Sequence, residues 1–292
     1  WTGPTIWLII SFSIIIFFQF NLKLNIKFNC ITFVILILSL NIFNDTSKMD
    51  LHSPYQNVSV KFNNDQLKPI TVQSNNIWLQ TPIDLSNKIN QEKNSTWHKF
   101  YIIPFTSTNY DFKDILIVGS GTGNDVATAI RYSEGNIDAV EIDPLVANLG
   151  EKFHPENPYS NPRVNLIIND ARNFIKEIDK KYDLIVYSVL DSHANLSSKG
   201  GVRLDSYVYT VESFYEAKKK LNENGVMFLS FAVSTEQMGN KIFKMLKMNF
   251  DKEPKILTRT YETDDKNFIE GIYSFVVSNK DLSLNLSKSN FV

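Results

Sequence analysis

Only one cysteine, Cys30, stands among the 292 residues, and it sits in an apolar run. One thiol excludes an intrachain disulfide and a cysteine-based zinc cluster. Histidine is scarce as well: His52, His98, His154 and His193 are far apart and show no metal-ligand spacing, so no metal is expected. Neither sign of charge is in excess, with 30 Lys and Arg against 31 Asp and Glu and a net charge of -1. Without a basic surplus there are no counterions to release on a phosphate backbone, which argues against a nucleic-acid partner. Internal repeats and low-complexity linkers are absent. What is present is globular composition, with 43% hydrophobic, 13% aromatic and 21% charged residues, and a length that suits about two domains. The chain opens on Trp1 and not on Met, as a piece of a longer protein would.

Two stretches depart from that average. Residues 5–20 and 28–43 carry no charge, and the piece between them holds Lys23 and Lys27. A membrane-spanning helix needs about 20 apolar residues, and flanking Asn and Lys can snorkel outward to close a small deficit. The runs are therefore read as a pair of transmembrane helices in a segment 1–45, against the alternative of buried core strands; neither run alternates with polar residues. A cleaved signal peptide fits less well, because no small-residue cleavage site follows the first run. The expectation is a multi-pass membrane protein with the lipid bilayer as a partner. The positive-inside rule applied to Lys23 and Lys27 would place the rest of the chain outside the cytoplasm.

From Asn44 the chain is polar. Two short alternating segments, YQNVSVKF and PITVQSNNIWLQ, read as strands of a small N-terminal β-domain over 46–105, with a turn at Asn63-Asn64-Asp65. Residues 81–98 have little periodicity and read as loop or weak helix. From residue 114 apolar strands and amphipathic helices alternate: DILIVGSG, DVATAIRYSE, NIDAVEID, PLVANLGEKF, RVNLIIND, ARNFIKEI, YDLIVYSV. TVESFYEAKKKLNENG reads as a helix capped at Gly225, followed by the strand GVMFLSF and the helix TEQMGNKIFKMLKM. KILTRTY and GIYSFVVS lack a crossover helix and are expected to pair antiparallel. This is an α/β pattern, a Rossmann-like doubly wound sheet over 106–292.

Ile115 to Asp125, ILIVGSGTGND, sets Gly119, Gly121 and Gly123 between an apolar strand and a helix. Glycine permits the positive backbone angles of a tight turn and lets a ligand approach the backbone. An acid at the end of the next strand holds ribose hydroxyls in such sites, and Glu141 and Asp143 lie there. Dinucleotide sites favour a sixth-position glycine. Here that position is Asn124, and Asp125 would repel a pyrophosphate. A cationic sulfonium nucleoside suits the turn better. Asp170 ends the third strand, where it can accept from an adenine amino group, cap the helix beginning at Ala171, or do both.

These blocks resemble the polyamine aminopropyltransferases, the spermidine synthase family. SPYQNVSV, ILIVGSGTG, AVEIDP, NPRVNLIINDARNF, YDLIVYSVLDS, VYTVESFYEAKKKLNENGV and GIYSFVVS fall in family order. The resemblance implies a fold of the class I S-adenosylmethionine-dependent methyltransferase type carrying a small β-domain, a possible homodimer, and decarboxylated S-adenosylmethionine as donor. It implies that Glu141 binds ribose, that Asp170 and Ala171 bind adenine, and that Gln80 and His98 match an N-terminal glutamine and histidine. A donor made in the cytoplasm would place the catalytic part there, against the two lysines.

Departures fall where the chemistry would be. The family's glycine turn carries an aspartate for the donor's ammonium; here it is Thr122. The first aspartate of its strand-four loop, which deprotonates the acceptor amine, is Ser188 here, and the second is kept as Asp191. Tyr-His-Glu reads Trp97-His98-Lys99. An alkylammonium with a pKa of about 10 must lose a proton before attack, which a carboxylate can accept and a serine cannot at neutral pH. Asp191 is then the candidate base, His193 a second, and Arg203 with Asp205 either a loop ion pair or a carboxylate-binding pair. Three readings follow: an aminopropyltransferase with a small-molecule amine acceptor, a methyltransferase using intact S-adenosylmethionine, or a silent nucleoside sensor.

Overall fold

The computed structural model describes residues 4–21, 47–75, 77–190, 208–233, 236–260, 271–282 and 284. By contacts the chain divides into Trp1–Lys48 and Met49–Val292.

In the first unit, α1 (Pro4–Asn21) is an uncharged helix of 18 residues that starts on a proline, suited to a first turn. Trp7, Ile14, Phe17 and Phe18 are exposed on it. The expectation of a transmembrane pair is overturned here, and with it the bilayer partner and the multi-pass location. Among the described residues no helix is long and apolar enough to cross a membrane. At 1.5 Å per residue the uncharged run 5–20 reaches about 24 Å, short of a hydrocarbon layer of about 30 Å. The second run, 28–43, lies outside the described residues.

The second unit opens with a four-stranded sheet in the order β1 (Lys48–His52), β2 (Asn57–Phe62), β3 (Ile70–Ser74), β4 (Ile77–Gln80). Asn75, at φ 50°, makes the turn that splits PITVQSNNIWLQ into β3 and β4. Alternation leaves Val58, Val60, Ile70 and Val72 fully buried, packed against Leu149. Residues 81–98 contain more helix than their weak periodicity suggested. They form α2 (Lys88–Lys93), capped by the Asn87 side chain, and the start of α3 (Ser95–Thr106).

The larger sheet contains β5 (Asp114–Val118), β6 (Asn136–Glu141), β7 (Val164–Ile168), β8 (Tyr182–Tyr187), β9 (Leu221–Val233), β10 (Lys255–Thr260) and β11 (Gly271–Ser278), in the order β10-β11-β9-β8-β5-β6-β7. Strands β5 to β9 are parallel neighbours, and β11 runs antiparallel between β9 and β10, as the missing crossover helix implied. Between the strands lie α4 (Asn124–Tyr132), α5 (Pro144–Phe153), a 3-10 turn (Pro158–Ser160), α6 (Ala171–Glu177), α7 (Val211–Lys219) and α8 (Glu236–Asn249). The strands read as unbroken apolar runs because both faces are covered. Leu116 and Val118 of β5 join Phe174, Phe214 and Leu246 on one face; Ile115 and Ile117 join Ile103, Val126 and Ala129 on the other.

One helix boundary moved. The segment expected to be capped at Gly225 ends at Lys219, and β9 already pairs at Leu221 with Tyr182. The register shifts between Tyr182 and Leu184, and a Cβ at Gly225 would stand 2.9 Å from Tyr182 O. That glycine serves a bulge between strands and not a helix end.

Candidate active site

Strand order reverses between β5 and β8, and in doubly wound sheets ligands bind at the C-terminal ends of the strands at such a point. The glycine turn sits there. Gly119 and Ser120 donate their N–H groups to Val140 O at 2.9 and 3.0 Å. Gly119 and Gly121 have φ of 74° and 58°. A Cβ on Gly119 would stand 1.7 Å from Leu190 Cδ2, and one on Gly121 2.3 Å from Gln80 Oε1. The turn is thus closed over by the loop after β8 on one side and by the end of β4 on the other.

Glu141, at the end of β6, is buried. Its Oε2 accepts from Gly121 N–H at 2.8 Å and its Oε1 from Asp143 N–H at 2.9 Å. Burial raises its pKa, which these two bonds only partly offset. Asp143 caps α5 through Leu145 N–H and also accepts from Ser53 Oγ at 2.7 Å and Gln56 Nε2 at 3.0 Å. Its carboxylate is spent on joining the β1–β2 connection to α5. Asp170 caps α6, with Oδ1 accepting from the N–H groups of Arg172 and Asn173 at 2.8 and 3.0 Å. Ala171, half-buried, packs on the core beside it. A cavity of about 420 Å³ opens at Asp170, lined also by Arg172, Lys176, Glu212 and Glu216, and shares only Asp170 with the residues above.

Gln80 is brought to the turn: its Oε1 accepts from Thr122 N–H at 2.6 Å and from Thr122 Oγ1 at 2.8 Å. His98 is not. Its Nε2 lies 2.9 Å from the hydroxyl of Tyr132, at the far end of α4 from Gly123. Trp97 instead sits in an aromatic cluster, with Trp78 at 5.8 Å, Tyr101 stacked at 6.2 Å, and Val189 packed on the same cluster.

Ser188 is buried, with its N–H on Val118 O at 3.1 Å and its Oγ without a well-formed hydrogen bond. Its backbone is braced by Tyr209, whose hydroxyl lies 3.4 Å from Ser188 O and 3.3 Å from Leu190 N. Asp191, His193, Arg203 and Asp205 lie outside the described residues.

Sequence reasoning missed two groups. Asn124 is a buried hub: its Nδ2 donates to Thr81 O and Tyr101 Oη, both at 2.9 Å, and its Oδ1 accepts from Ile83 N–H at 3.0 Å. His154 donates to the same Oδ1 from Nε2 at 3.1 Å, while its Nδ1 accepts from Glu156 N–H. Burial and then the nearby Arg131 lower the His154 pKa to about 3, so it is a neutral strut. The non-glycine sixth position of the turn was the available signal. The second missed residue is Asp125, on the first turn of α4, buried and facing Ser188.

The sheet order is that of an α/β Rossmann-like fold of the methyltransferase type. The spermine/spermidine synthase domain profile matches residues 99–288, and the chain belongs to that family. It is 30% identical over 169 residues to a polyamine aminopropyltransferase of Buchnera aphidicola, covering 56% of this chain and 54% of that one. With the polyamine aminopropyltransferase of Clostridium perfringens it shares 31% over 134 residues, 45% of this chain and 44% of that one. The chain spans about half the length of these curated relatives. In fold it matches a spermidine synthase solved with the transition-state analogue AdoDATO (TM-score 0.60, 16% identity, 80% of this chain and 73% of that one). The spermidine synthase of Thermotoga maritima is equally near, at TM-score 0.59 and 15% identity over 80% and 72%.

Proposed function

We propose that the protein transfers an aminopropyl group from decarboxylated S-adenosylmethionine to a polyamine acceptor. The observation that carries this reading is Glu141, held by Gly121 N–H and Asp143 N–H at the mouth of a left-handed glycine turn, with Asp170 at the next strand end. Ionised, Glu141 has lone pairs left for two ribose hydroxyls, and Asp170 Oδ2 is left for an adenine amino group. The name shared by the relatives supports the reaction class. The sulfonium is already a good leaving group, so positioning supplies much of the rate. The acceptor nitrogen's lone pair forms the C–N bond while the C–S bond breaks and its electron pair goes to sulfur.

Thr122 supports a second reading, methyl transfer from intact S-adenosylmethionine, because the turn offers no acid to select the decarboxylated donor. Calorimetry of the full chain with both donors, followed by label transfer from each to putrescine and spermidine, decides. Aminopropyl transfer is expected. Methyl transfer alone would assign the second reading, and binding without turnover would assign a sensor. Binding of NAD, or unchanged nucleoside affinity in Glu141→Ala and Asp170→Ala, would overturn the site itself.

A further inference from the structure

Two buried polar groups at the switch point of the sheet are short of partners: the Asp125 carboxylate accepts from its own N–H, and the Ser188 hydroxyl completes no hydrogen bond. Asp125 is 8% exposed and Ser188 6%. Asp125 stands on the first turn of α4, and Ser188 follows β8, whose C-terminal end lies beside that of β5. The Ser188 hydroxyl is the side chain that acts on the Asp125 carboxyl, without completing a hydrogen bond to it. Among the described residues Asp125 makes no ion pair. A carboxylate placed only to complement a helix N-terminus is served as well or better in water, where it costs no desolvation. This one is buried beside the unpartnered Ser188 hydroxyl. A lone carboxylate there repels phosphate and attracts a cation.

We propose that Ser188 and Asp125 together accept the proton of the acceptor amine, Ser188 touching the amine and Asp125 acting through it as a positioning residue. This rests on the aminopropyl-transfer reading. The acceptor's ammonium gives a proton to Ser188 Oγ as the Ser188 hydroxyl proton passes to Asp125. The freed lone pair then attacks the methylene beside the sulfonium, and Asp125 later returns its proton to solvent. A serine alone cannot accept that proton near neutrality; with a carboxylate behind it, it can relay one. Burial raises Asp125 to about 6, which places the group in the working range of a base. The titratable group that shares its field is Tyr159 of the 3-10 turn, which also feels Glu141 and Glu151; its hydroxyl donates to Ser120 Oγ and Gly121 O, and burial keeps it protonated.

The test is label transfer to putrescine by the full chain across pH 5 to 9, with donor and putrescine binding followed by calorimetry. In Asp125→Asn, kcat is expected to fall about 10²–10⁴-fold, the span of a general base, with the donor KM within about twofold and the acid limb of the rate profile lost. Ser188→Ala should lose about as much, and Ser188→Asp placed in the Asp125→Asn background should restore at least about tenfold. Full kcat and an unchanged pH profile in Asp125→Asn would overturn the proposal, as would a loss confined to Asp191→Asn. If the unaltered protein transfers nothing, the aminopropyl reading fails instead. Putrescine binding then judges the pair: weakening of about tenfold in Asp125→Asn supports it, and unchanged affinity overturns it.

Discussion

Asp125 and Asp138 are equally buried, each 8% exposed, and could hardly be treated more differently. Asp138, toward the N-terminal edge of the sheet, accepts from Asn165 Nδ2, Lys180 Nζ and Tyr182 Oη, each at 2.9 Å. Burial alone would raise its pKa, but these bonds and the Lys180 charge outweigh burial and hold it below the ordinary value. Asp125, at the C-terminal edge, has only one serine and its own N–H against it, and burial takes it up to about 6. A carboxylate that holds three donors is part of the frame. One left short of partners at the C-terminal edge costs stability, and such costs cluster where function requires them.

The largest expected effect tests the frame. Asp138→Ala strands three donors, one of them a partly exposed lysine, and should cost about 3 kcal/mol in denaturant unfolding. A cost below about 1 kcal/mol would remove the distinction between the two ends. The pH dependence has a fixed sign. Because the folded pKa is lowered, the contribution of Asp138 is full above the unfolded pKa and is lost as pH falls through the folded one. It therefore starts to be lost only below about pH 4.

Asp125→Asn should act in the opposite direction. With the folded pKa raised to about 6, the native protein loses stability as pH rises from the unfolded value of 3.8 to that point. The amide escapes this penalty. Melting at pH 7 should show a gain of up to about 3 kcal/mol, two units at about 1.4 kcal/mol each, vanishing below about pH 4. Equal melting at both pH values would mean that the carboxylate is not penalised where it sits.

What was legible in the sequence was whatever is signalled locally. The glycine turn, the acid after the second strand and the antiparallel closing pair each follow from a few adjacent residues. Gln80 came only through family resemblance, and its pairing with Thr122 depends on β4 meeting the turn. Asn124 and Asp125 were read as reasons against a dinucleotide. Their positive roles depend on Thr81, Tyr101 and Ser188, which only tertiary packing brings near. Gly225 was read as a helix cap because a glycine after a lysine-rich helix looks like one, and the bulge against Tyr182 has no local signature. The apolar run 5–20 has membrane composition but falls short in length.

Glu141 gives a smaller test at the ligand edge. Glu141→Ala should weaken nucleoside binding by about 1.5–3 kcal/mol in calorimetry, the range for hydrogen bonds to a charged group. Because burial holds its pKa above the ordinary glutamate value, affinity should also fall as the pH drops through that raised value, and this dependence should be absent in the alanine variant. Unchanged affinity would leave Glu141 as a brace for Gly121 and Asp143 alone.

The smallest expected effect concerns donor choice at Thr122. Its side chain is fully buried, and both its N–H and its hydroxyl are committed to Gln80 Oε1. Thr122→Asp replaces a donor with an acceptor, so Gln80 must turn its amide to present Nε2 to the new carboxylate. The charge is then close to where the donor's ammonium would end, and because both are buried, desolvation offsets much of their attraction and leaves about 1 kcal/mol. Competition between the two donors for the full chain should shift toward the decarboxylated form by about three- to tenfold. Asp at this position combined with Gln80→Ala separates the two consequences. If the shift persists there, the carboxylate itself reads the ammonium; if it disappears, Gln80 orients whatever stands at residue 122. No shift in either variant would place the donor's end away from this side of the turn, and the weak selectivity expected of Thr122 would then have another origin.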